Sequence, residues 1–221
     1  MSRVFAVGDI HGCSRTLRKL LCDEIHLEKS DEIVCVGDYI DRGPDSKGVV
    51  DYILELRDAG YQIHTLRGNH EQLMMDSAED DENTELWLKN GGRSTLRSFG
   101  VSSYDALDPQ YRAFFEETKY YLKKDNFIFV HAGLDWLADD PFENTEAMLW
   151  SRDPYVDLEK LGKRIVVHGH TPLPKAVILE QNGPDINIDG GCVYARREGY
   201  GYLVALESQE QKYYFVPNVD M

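Results

Sequence analysis

Five short apolar runs, each followed at once by a loop rich in Gly, Asp, His or Asn, constrain the fold more than any other feature of this sequence. The runs contain many β-branched residues and occupy residues 4–7, 33–36, 63–66, 127–130 and 165–167. Their length and composition predict buried strands. Because loops at the carboxyl ends of strands gather at one edge of an open α/β sheet, we expect the five loops to converge on one pocket.

Helical patterns separate these strands. Ser14 is predicted to cap one helix, and Asp45 or Ser46 is predicted to cap a second helix that ends at Gly60. Further helices are predicted over residues 85–96 and 109–122, the latter with Asp108 as its cap and Pro109 at its first position. After residue 160 the pattern favours strands, over residues 175–179, 185–188, 202–206 and 212–216.

Length and composition predict one α/β domain over residues 1–221, because 42% of the residues are hydrophobic and no linker is apparent. No apolar run approaches the roughly 18 residues that span a bilayer. The first residues also lack the basic region and long apolar stretch of a signal peptide. The four cysteines follow no CxxC spacing. We therefore expect buried free thiols, a cytoplasmic location and no membrane partner.

The formal net charge of −15 argues against binding to extended nucleic acid, because an acidic surface repels a polyanion. The acidic run at residues 79–82 is predicted to be a solvated loop. Phosphate groups can still be bound, provided that cations and arginines reverse the field locally.

The loops after the strands carry six candidate metal ligands, namely Asp9, His11, Asp38, Asn69, His131 and His170. Carboxylate and amide oxygens with imidazole nitrogens, and no thiolate, suit Mn, Fe or Zn. Six ligands exceed what one open site needs, whereas a carboxylate such as Asp38 can bridge two ions about 4 Å apart. Each residue alone is more often a turn or a packed side chain, but five matched loops indicate a dinuclear site.

Three of these segments resemble the signature motifs of the phosphoprotein phosphatase family of metallophosphoesterases. They are Gly8-Asp9-Ile10-His11-Gly12, Gly37-Asp38-Tyr39-Ile40-Asp41-Arg42-Gly43 and Gly68-Asn69-His70-Glu71. The resemblance extends through His131-Ala132-Gly133, Leu149-Trp150-Ser151-Arg152 and Gly169-His170-Thr171. The compact length is similar to bacterial and phage members of the lambda phosphatase type. The resemblance implies the calcineurin-like fold, a sandwich of two mixed β-sheets flanked by helices.

The resemblance also implies a ligand assignment. Asp9, His11 and Asp38 would hold the first ion, and Asp38, Asn69, His131 and His170 the second. A hydroxide that bridges the ions would then attack phosphorus in line with the leaving oxygen, without a phosphoenzyme.

Four further residues receive roles from the same motifs. His70 would protonate the leaving oxygen, and Asp41 would orient its imidazole. Arg42 and Arg152 would bind the phosphate oxygens. His168 is expected to have a packing role beside the site.

Two other features are expected to be structural. Asp189-Gly190-Gly191 is predicted to be a tight turn behind the site, and Arg196-Arg197 a solvated pair rather than a substrate clamp. Trp87, in the stretch 76–101 that could shape the pocket, is predicted to be a core residue rather than a base-stacking platform.

The leading hypothesis for function is a phosphatase acting on phosphoserine or phosphothreonine, with possible action on phosphotyrosine and small phosphate esters. A symmetrical diadenosine tetraphosphatase is the nearest alternative, because it resembles the same family. A non-catalytic binding module is the third, but the presence of His70, Asp41, Arg42 and Arg152 alongside every ligand speaks against it.

Overall fold

The structure is a computed structural model that describes residues 2–221. Its strands are β1 Val4–Val7, β2 Glu32–Cys35, β3 Gln62–Thr65, β4 Tyr121–Lys124, β5 Phe127–Val130, β6 Ile165–His168, β7 Asp185–Asn187, β8 Tyr202–Glu207 and β9 Lys212–Pro217. Its α-helices are α1 Ser14–Lys19, α2 Ser46–Asp58, α3 Asn69–Asp76, α4 Asp81–Trp87, α5 Arg93–Phe99, α6 Pro109–Glu116, α7 Thr145–Trp150, α8 Leu158–Leu161 and α9 Lys175–Glu180.

The strands form two mixed sheets. The first has the order β3-β2-β1-β8-β9, in which β1, β2 and β3 are parallel and β8 and β9 are antiparallel to their neighbours. The second has the order β4-β5-β6-β7, in which β5, β6 and β7 are parallel and β4 is antiparallel to β5. The architecture that the resemblance implied, two mixed sheets with flanking helices, is therefore confirmed.

Successive side chains of each strand point to opposite faces of its sheet, and the two sheets are therefore in contact with three apolar clusters. Val4 and Ala6 of β1 face the second sheet and pack with residues such as Phe129 and Val167. Phe5 and Val7 point the other way, into the cluster formed with the helices of the first half. On the outer face of the second sheet, residues of β5 and β6 pack against α7 and α8. Both faces of each sheet are thus covered, as the continuous apolar runs require.

The register aligns the carboxyl ends of the parallel strands. Val7 pairs with Cys35, and Cys35 pairs with Thr65, so β1, β2 and β3 end at one level. In the second sheet β5 and β6 pair through Phe129 and Val167. The loops that follow these five strands therefore leave the two sheets at a common edge.

The predicted strand over residues 175–179 is wrong, because this segment forms α9. Its apolar residues do not alternate between two buried faces. Ile178 is the one buried residue of α9, and Val177 and Leu179 are 42% and 53% exposed, so the segment packs on the core through a single side chain. A run of four apolar residues carries no period of its own, and Pro174 immediately before it suits a helix start.

Two predicted helices are also corrected. The helix over residues 85–96 is divided into α4 and α5 by a wider turn at Leu88–Gly92, where Gly91 has a φ of 118°. The helix over residues 109–122 ends at Glu116, because the chain then pairs as β4 with β5. Ser14 is the first residue of α1 rather than its cap, and Asp45 caps α2 by accepting from Gly48 N.

The described residues contain no helix that is both long and apolar enough to cross a membrane. The four cysteines are free thiols, as expected, but Cys22 is exposed, and only Cys13, Cys35 and Cys192 are buried.

The last residues of the chain cap α1, a contact that the sequence analysis did not predict. The Asp220 carboxylate accepts hydrogen bonds from Arg15 N at 3.0 Å and Thr16 N at 2.9 Å. These are the backbone N–H groups that an N-cap side chain normally satisfies.

We therefore expect Asp220→Ala to lower the free energy of unfolding by about 1 kcal/mol, as the loss of a helix cap does. Urea unfolding at neutral pH measures this. Glu210→Ala, at an exposed turn position, is the control and should unfold at the wild-type midpoint. An unchanged midpoint for Asp220→Ala would contradict the capping role.

Candidate metal centre

Asp38 lies at the centre of the converging loops. Its backbone carbonyl accepts hydrogen bonds from Ile10 N at 3.0 Å and His11 N at 2.8 Å. One carboxylate oxygen accepts from His70 N at 3.1 Å. The carboxylate also lies 3.5 Å from His11 Nε2 and 3.6 Å from His131 Nε2. A single residue thus contacts the loops that follow β1, β3 and β5.

Two groups of buried side chains have the spacing of a metal site. Asp9, Asp38 and His131 bring ligand atoms within 4.8 Å of one another, and so do His11, Asp38 and His70. Asp38 belongs to both groups, which is the position that a bridging carboxylate would take. The second group includes His70, which the motifs assign to acid catalysis rather than to a metal.

The donor set around Asn69 fits a cation. His131 Nδ1 lies 3.1 Å from Val36 O, so this nitrogen carries the proton and Nε2 presents a lone pair. That lone pair faces Asn69 Oδ1 at 3.0 Å, and His170 Nδ1 lies 2.9 Å from the same oxygen. Electron-rich atoms that converge in this way suit a divalent ion held by mixed nitrogen and oxygen ligands.

The imidazoles are held in the neutral form that a metal ligand needs. Burial lowers the pKa of His11 well below its usual range, and burial also lowers the pKa of His131. Burial, followed by the neighbouring His131, lowers the pKa of His170 to about 3. His11 Nδ1 donates to Ile40 O at 2.8 Å, so its Nε2 carries the lone pair.

Asp9 completes the group on the β1 side. Both of its carboxylate oxygens accept a hydrogen bond from His170 N, at 3.2 and 3.1 Å. Burial raises the pKa of Asp9 well above its usual range, and repulsion from Asp189 and Asp38 raises it further. Crowded buried carboxylates of this kind are relieved by a divalent cation.

The backbone of the site is strained. Of the eight non-glycine residues with positive φ among residues 2–221, five are candidate site residues. They are His11, Asp38, Asp41, Arg42 and His170, with φ between 46° and 70°. The left-handed region costs an ordinary residue roughly 1–2 kcal/mol. Such strain concentrates at functional sites, where surrounding contacts maintain it.

His70 and Asp41 form a buried pair. His70 Nδ1 lies 2.6 Å from Asp41 Oδ2, while His70 Nε2 is buried without a hydrogen-bond partner in the described chain. Asp41 also accepts from Trp87 Nε1 at 3.0 Å and from Thr95 Oγ1 at 2.6 Å. Trp87 is a core residue, as predicted, and its indole N–H also fixes the carboxylate that orients His70.

Glu71 is a residue whose role the sequence analysis missed. Its buried carboxylate accepts hydrogen bonds from Asp38 N at 2.8 Å, Tyr39 N at 2.9 Å and Gly68 N at 2.9 Å. Burial, and then Asp38, raises the pKa of Glu71 to about 8. The bond to Gly68 N is half of a capping box at the start of α3, so a Glu three residues after Gly68 was a usable signal.

The two predicted phosphate-binding arginines lie on different sides of the site. Arg42 Nη1 donates to His11 Nε2 at 2.7 Å, and Arg152 Nε lies 3.4 Å from His170 Nε2. Arg152 also lines a cavity of about 230 Å³ on the outer face of the second sheet. His168 faces this cavity, and its Nε2 lies 3.5 Å from Asp185 Oδ1.

Comparison with known proteins identifies the family. Residues 2–204 match the calcineurin-like phosphoesterase family, and the chain belongs to it. The family that the motifs suggested is therefore confirmed, and the protein is a hydrolase of the metallophosphoesterase class.

Individual relatives differ in their substrates. Serine/threonine-protein phosphatase 1 of Salmonella typhimurium is 44% identical over 89 residues, which cover 40% of this chain and only 38% of that protein. The asymmetrical bis(5'-nucleosyl)-tetraphosphatase PrpE of Oceanobacillus iheyensis is 26% identical over 219 residues, covering 88% of this chain and 86% of that protein. The solved structure of a cold-active protein-tyrosine phosphatase from a Shewanella species is similar to this chain, with a TM-score of 0.68 and 16% sequence identity. The match covers 98% of this chain and 80% of that chain, and at this identity it supports the fold alone.

Glycines beside the ligands provide a direct test of the geometry. A Cβ on Gly169 would overlap the Asp9 carboxylate, whereas a Cβ on Gly183 would meet nothing closer than 4.0 Å, and neither glycine has positive φ. We expect Gly169→Ala to displace Asp9 and to reduce manganese-dependent hydrolysis of p-nitrophenyl phosphate by about 100-fold, the effect of an ångström-scale misplacement.

Gly183→Ala is the matched control and should keep wild-type turnover. Circular dichroism of both variants checks that they fold. Wild-type activity in a folded Gly169→Ala variant would show that hydrolysis does not depend on the position of the Asp9 carboxylate.

Proposed function

We propose that the protein is a phosphomonoesterase that hydrolyses phosphoserine and phosphothreonine in proteins, with two divalent cations as cofactors. Asp9, His11 and Asp38 would hold one cation, and Asp38, Asn69, His131 and His170 would hold the other. When bound, the cations supply a water of lowered pKa as nucleophile and neutralise charge on the phosphate. The oxygen and nitrogen donors, without thiolate, support manganese, with iron or zinc as alternatives.

The observation that carries this proposal is the unpartnered Nε2 of His70. Asp41 accepts from Nδ1 and orients the ring, so Nε2 is the nitrogen through which a protonated imidazole would donate. Because Nε2 is buried and lies 4.0 Å from Asp38 Oδ2, it borders the space where the phosphate would be held. His70 would donate its proton to the oxygen that leaves phosphorus.

An acid in this position supports an alkyl phosphate as the substrate. A serine or threonine alkoxide is strongly basic and leaves slowly unless it is protonated. The phosphate group that leaves from a dinucleoside polyphosphate is a much weaker base and depends less on an acid. Arg42 and Arg152 would bind the phosphate oxygens from the two sides of the site, since guanidinium groups match a tetrahedral oxyanion.

Hydrolysis of a dinucleoside tetraphosphate is the second candidate. The match to the asymmetrical tetraphosphatase along 88% of this chain supports it, because it extends well beyond the metal motifs. Asymmetrical and symmetrical cleavage differ in which phosphate is attacked, and symmetrical cleavage is the alternative that the family resemblance suggested.

Direct competition between a phosphoserine peptide and diadenosine tetraphosphate, with added manganese, distinguishes the two. We expect the peptide to be hydrolysed with the higher kcat/KM. Asp38→Asn should lose at least about 100-fold on either substrate, because it weakens both predicted cation sites. Asp58→Asn, at an exposed position, is the control. Cleavage of the dinucleotide alone would reject the proposed substrate.

Replacing the acid should affect substrates according to their leaving groups. We expect His70→Asn to lower kcat on a phosphoserine peptide by about 10³, within the usual range for general acid catalysis. Turnover of p-nitrophenyl phosphate should fall much less, because nitrophenolate leaves without protonation. His64→Asn is the matched control, since His64 lies on β3 and pairs with Glu32. Equal losses on both substrates would contradict the role of His70 as acid.

A further inference from the structure

Arg196 and Arg197 are exposed, as a solvated pair would be, and neither guanidinium group has a carboxylate oxygen within 4.0 Å among residues 2–221. The chain contains 39 acidic residues against 24 lysines and arginines, so partners for a surface arginine are abundant. Two adjacent arginines without carboxylate partners place two positive charges side by side on a surface whose overall charge is negative.

The two arginines line a cavity of about 700 Å³ in the loop between β7 and β8, together with Val193, Tyr194, Ala195 and Met221. The Arg197 guanidinium stacks over the Tyr200 ring at 4.0 Å, which restricts its orientation. Tyr194 is 37% exposed. The cavity therefore offers guanidinium donors beside an accessible aromatic ring.

One wall of this cavity is tied to the metal centre through the turn at residues 189–191. Tyr194 N donates to Gly191 O, and Gly191 N donates to Asp189 Oδ1, both at 2.8 Å. The preceding residue, Ile188, packs so closely on Gly8 that a Cβ there would overlap the Ile188 carbonyl. Gly8 directly precedes the candidate ligand Asp9.

Met221, another residue that lines the cavity, is connected to the same loop after β1. Met221 follows Asp220, whose carboxylate caps the start of α1 at Arg15 and Thr16. This helix begins three residues after His11. The loop that carries the two arginines is also bonded to the segment after His170, since Asp189 O and Gly199 O accept from Leu173 N and Lys175 N, both at 2.8 Å.

We propose that Arg196 and Arg197 form a second anion subsite, which binds a carboxylate or phosphate of the substrate other than the phosphate being hydrolysed. This inference rests on the proposed function and specifies its substrate class. Guanidinium groups bind both kinds of oxyanion through paired N–H donors. On a phosphoprotein, the subsite selects phosphoserines that have acidic residues nearby.

Two phosphoserine peptides test the subsite, one with Asp and Glu beside the phosphoserine and one with Ala. We expect Arg196→Ala/Arg197→Ala to raise KM for the acidic peptide about tenfold, which corresponds to about 1.4 kcal/mol. KM for the neutral peptide and turnover of p-nitrophenyl phosphate should stay at wild-type values. Salt should raise KM for the acidic peptide in the wild type more than in the variant.

Lys163→Ala/Arg164→Ala is the matched control, because it removes two adjacent exposed charges before β6. An equal rise in KM in this control would show that net charge alone is responsible and would overturn the subsite. The same conclusion follows if the wild type does not distinguish the two peptides.

A separate readout keeps the subsite testable if the protein hydrolyses no phosphopeptide, an outcome that would reject the proposed function. An unphosphorylated acidic peptide should inhibit hydrolysis of p-nitrophenyl phosphate, with a Ki about tenfold higher in Arg196→Ala/Arg197→Ala. An unchanged Ki would overturn the subsite. A rise in KM for diadenosine tetraphosphate in the same variant would identify phosphate as the anion that is bound.

Discussion

The arrangement of the loops around the site depends on Asp38, whose backbone and side chain both contact loops that follow strands of the two sheets. Its carbonyl accepts from the loop after β1, its N–H donates to Glu71 at the start of α3, and its carboxylate lies beside His131 after β5. Burial raises the pKa of the Asp38 carboxyl, but cationic neighbours outweigh it and hold the pKa below its usual range, first His131 when protonated and also the permanently charged Arg42. The carboxylate stays charged, and the loops remain gathered around it.

Holding several acidic groups in so small a volume requires close packing and strain. A Cβ on Gly68 would overlap the Asp38 carboxylate, and one on Gly169 would overlap that of Asp9. Glycine therefore precedes Asn69 and His170, because a candidate ligand of another loop occupies the space of its side chain. The left-handed φ of His11, Asp38 and His170 adds backbone strain, which the packed sheets beneath must offset.

Patterns that are local in the sequence predicted much of this architecture. The strands that precede the loops were predicted to within about one residue, and the convergence of their loops follows from the parallel register of β1, β2 and β3. The motifs predicted the two mixed sheets, which periodicity alone did not. The short apolar run of α9 was misassigned, because four residues cannot distinguish a strand from one turn of helix.

Contacts between distant residues could not be predicted in the same way. The bond from Trp87 to Asp41 joins residues 46 positions apart, and that from Glu71 to Asp38 joins residues 33 positions apart. No local pattern specifies such pairs, because they depend on how α3 and α4 pack against the loop after β2. Asp220 is a similar case, since it caps a helix at the opposite end of the chain.

The charge distribution explains how an acidic protein can present a site for phosphate. A net charge of −15 opposes the approach of an anion, yet Arg42 and Arg152 flank the predicted cation ligands on opposite sides. Two buried cations would add four positive charges beside Asp9 and Asp38, so the field at the phosphate would reverse within a few ångströms. Beyond that distance the acidic surface prevails again, and a substrate with further anionic groups needs unpaired cations such as Arg196 and Arg197 to remain bound.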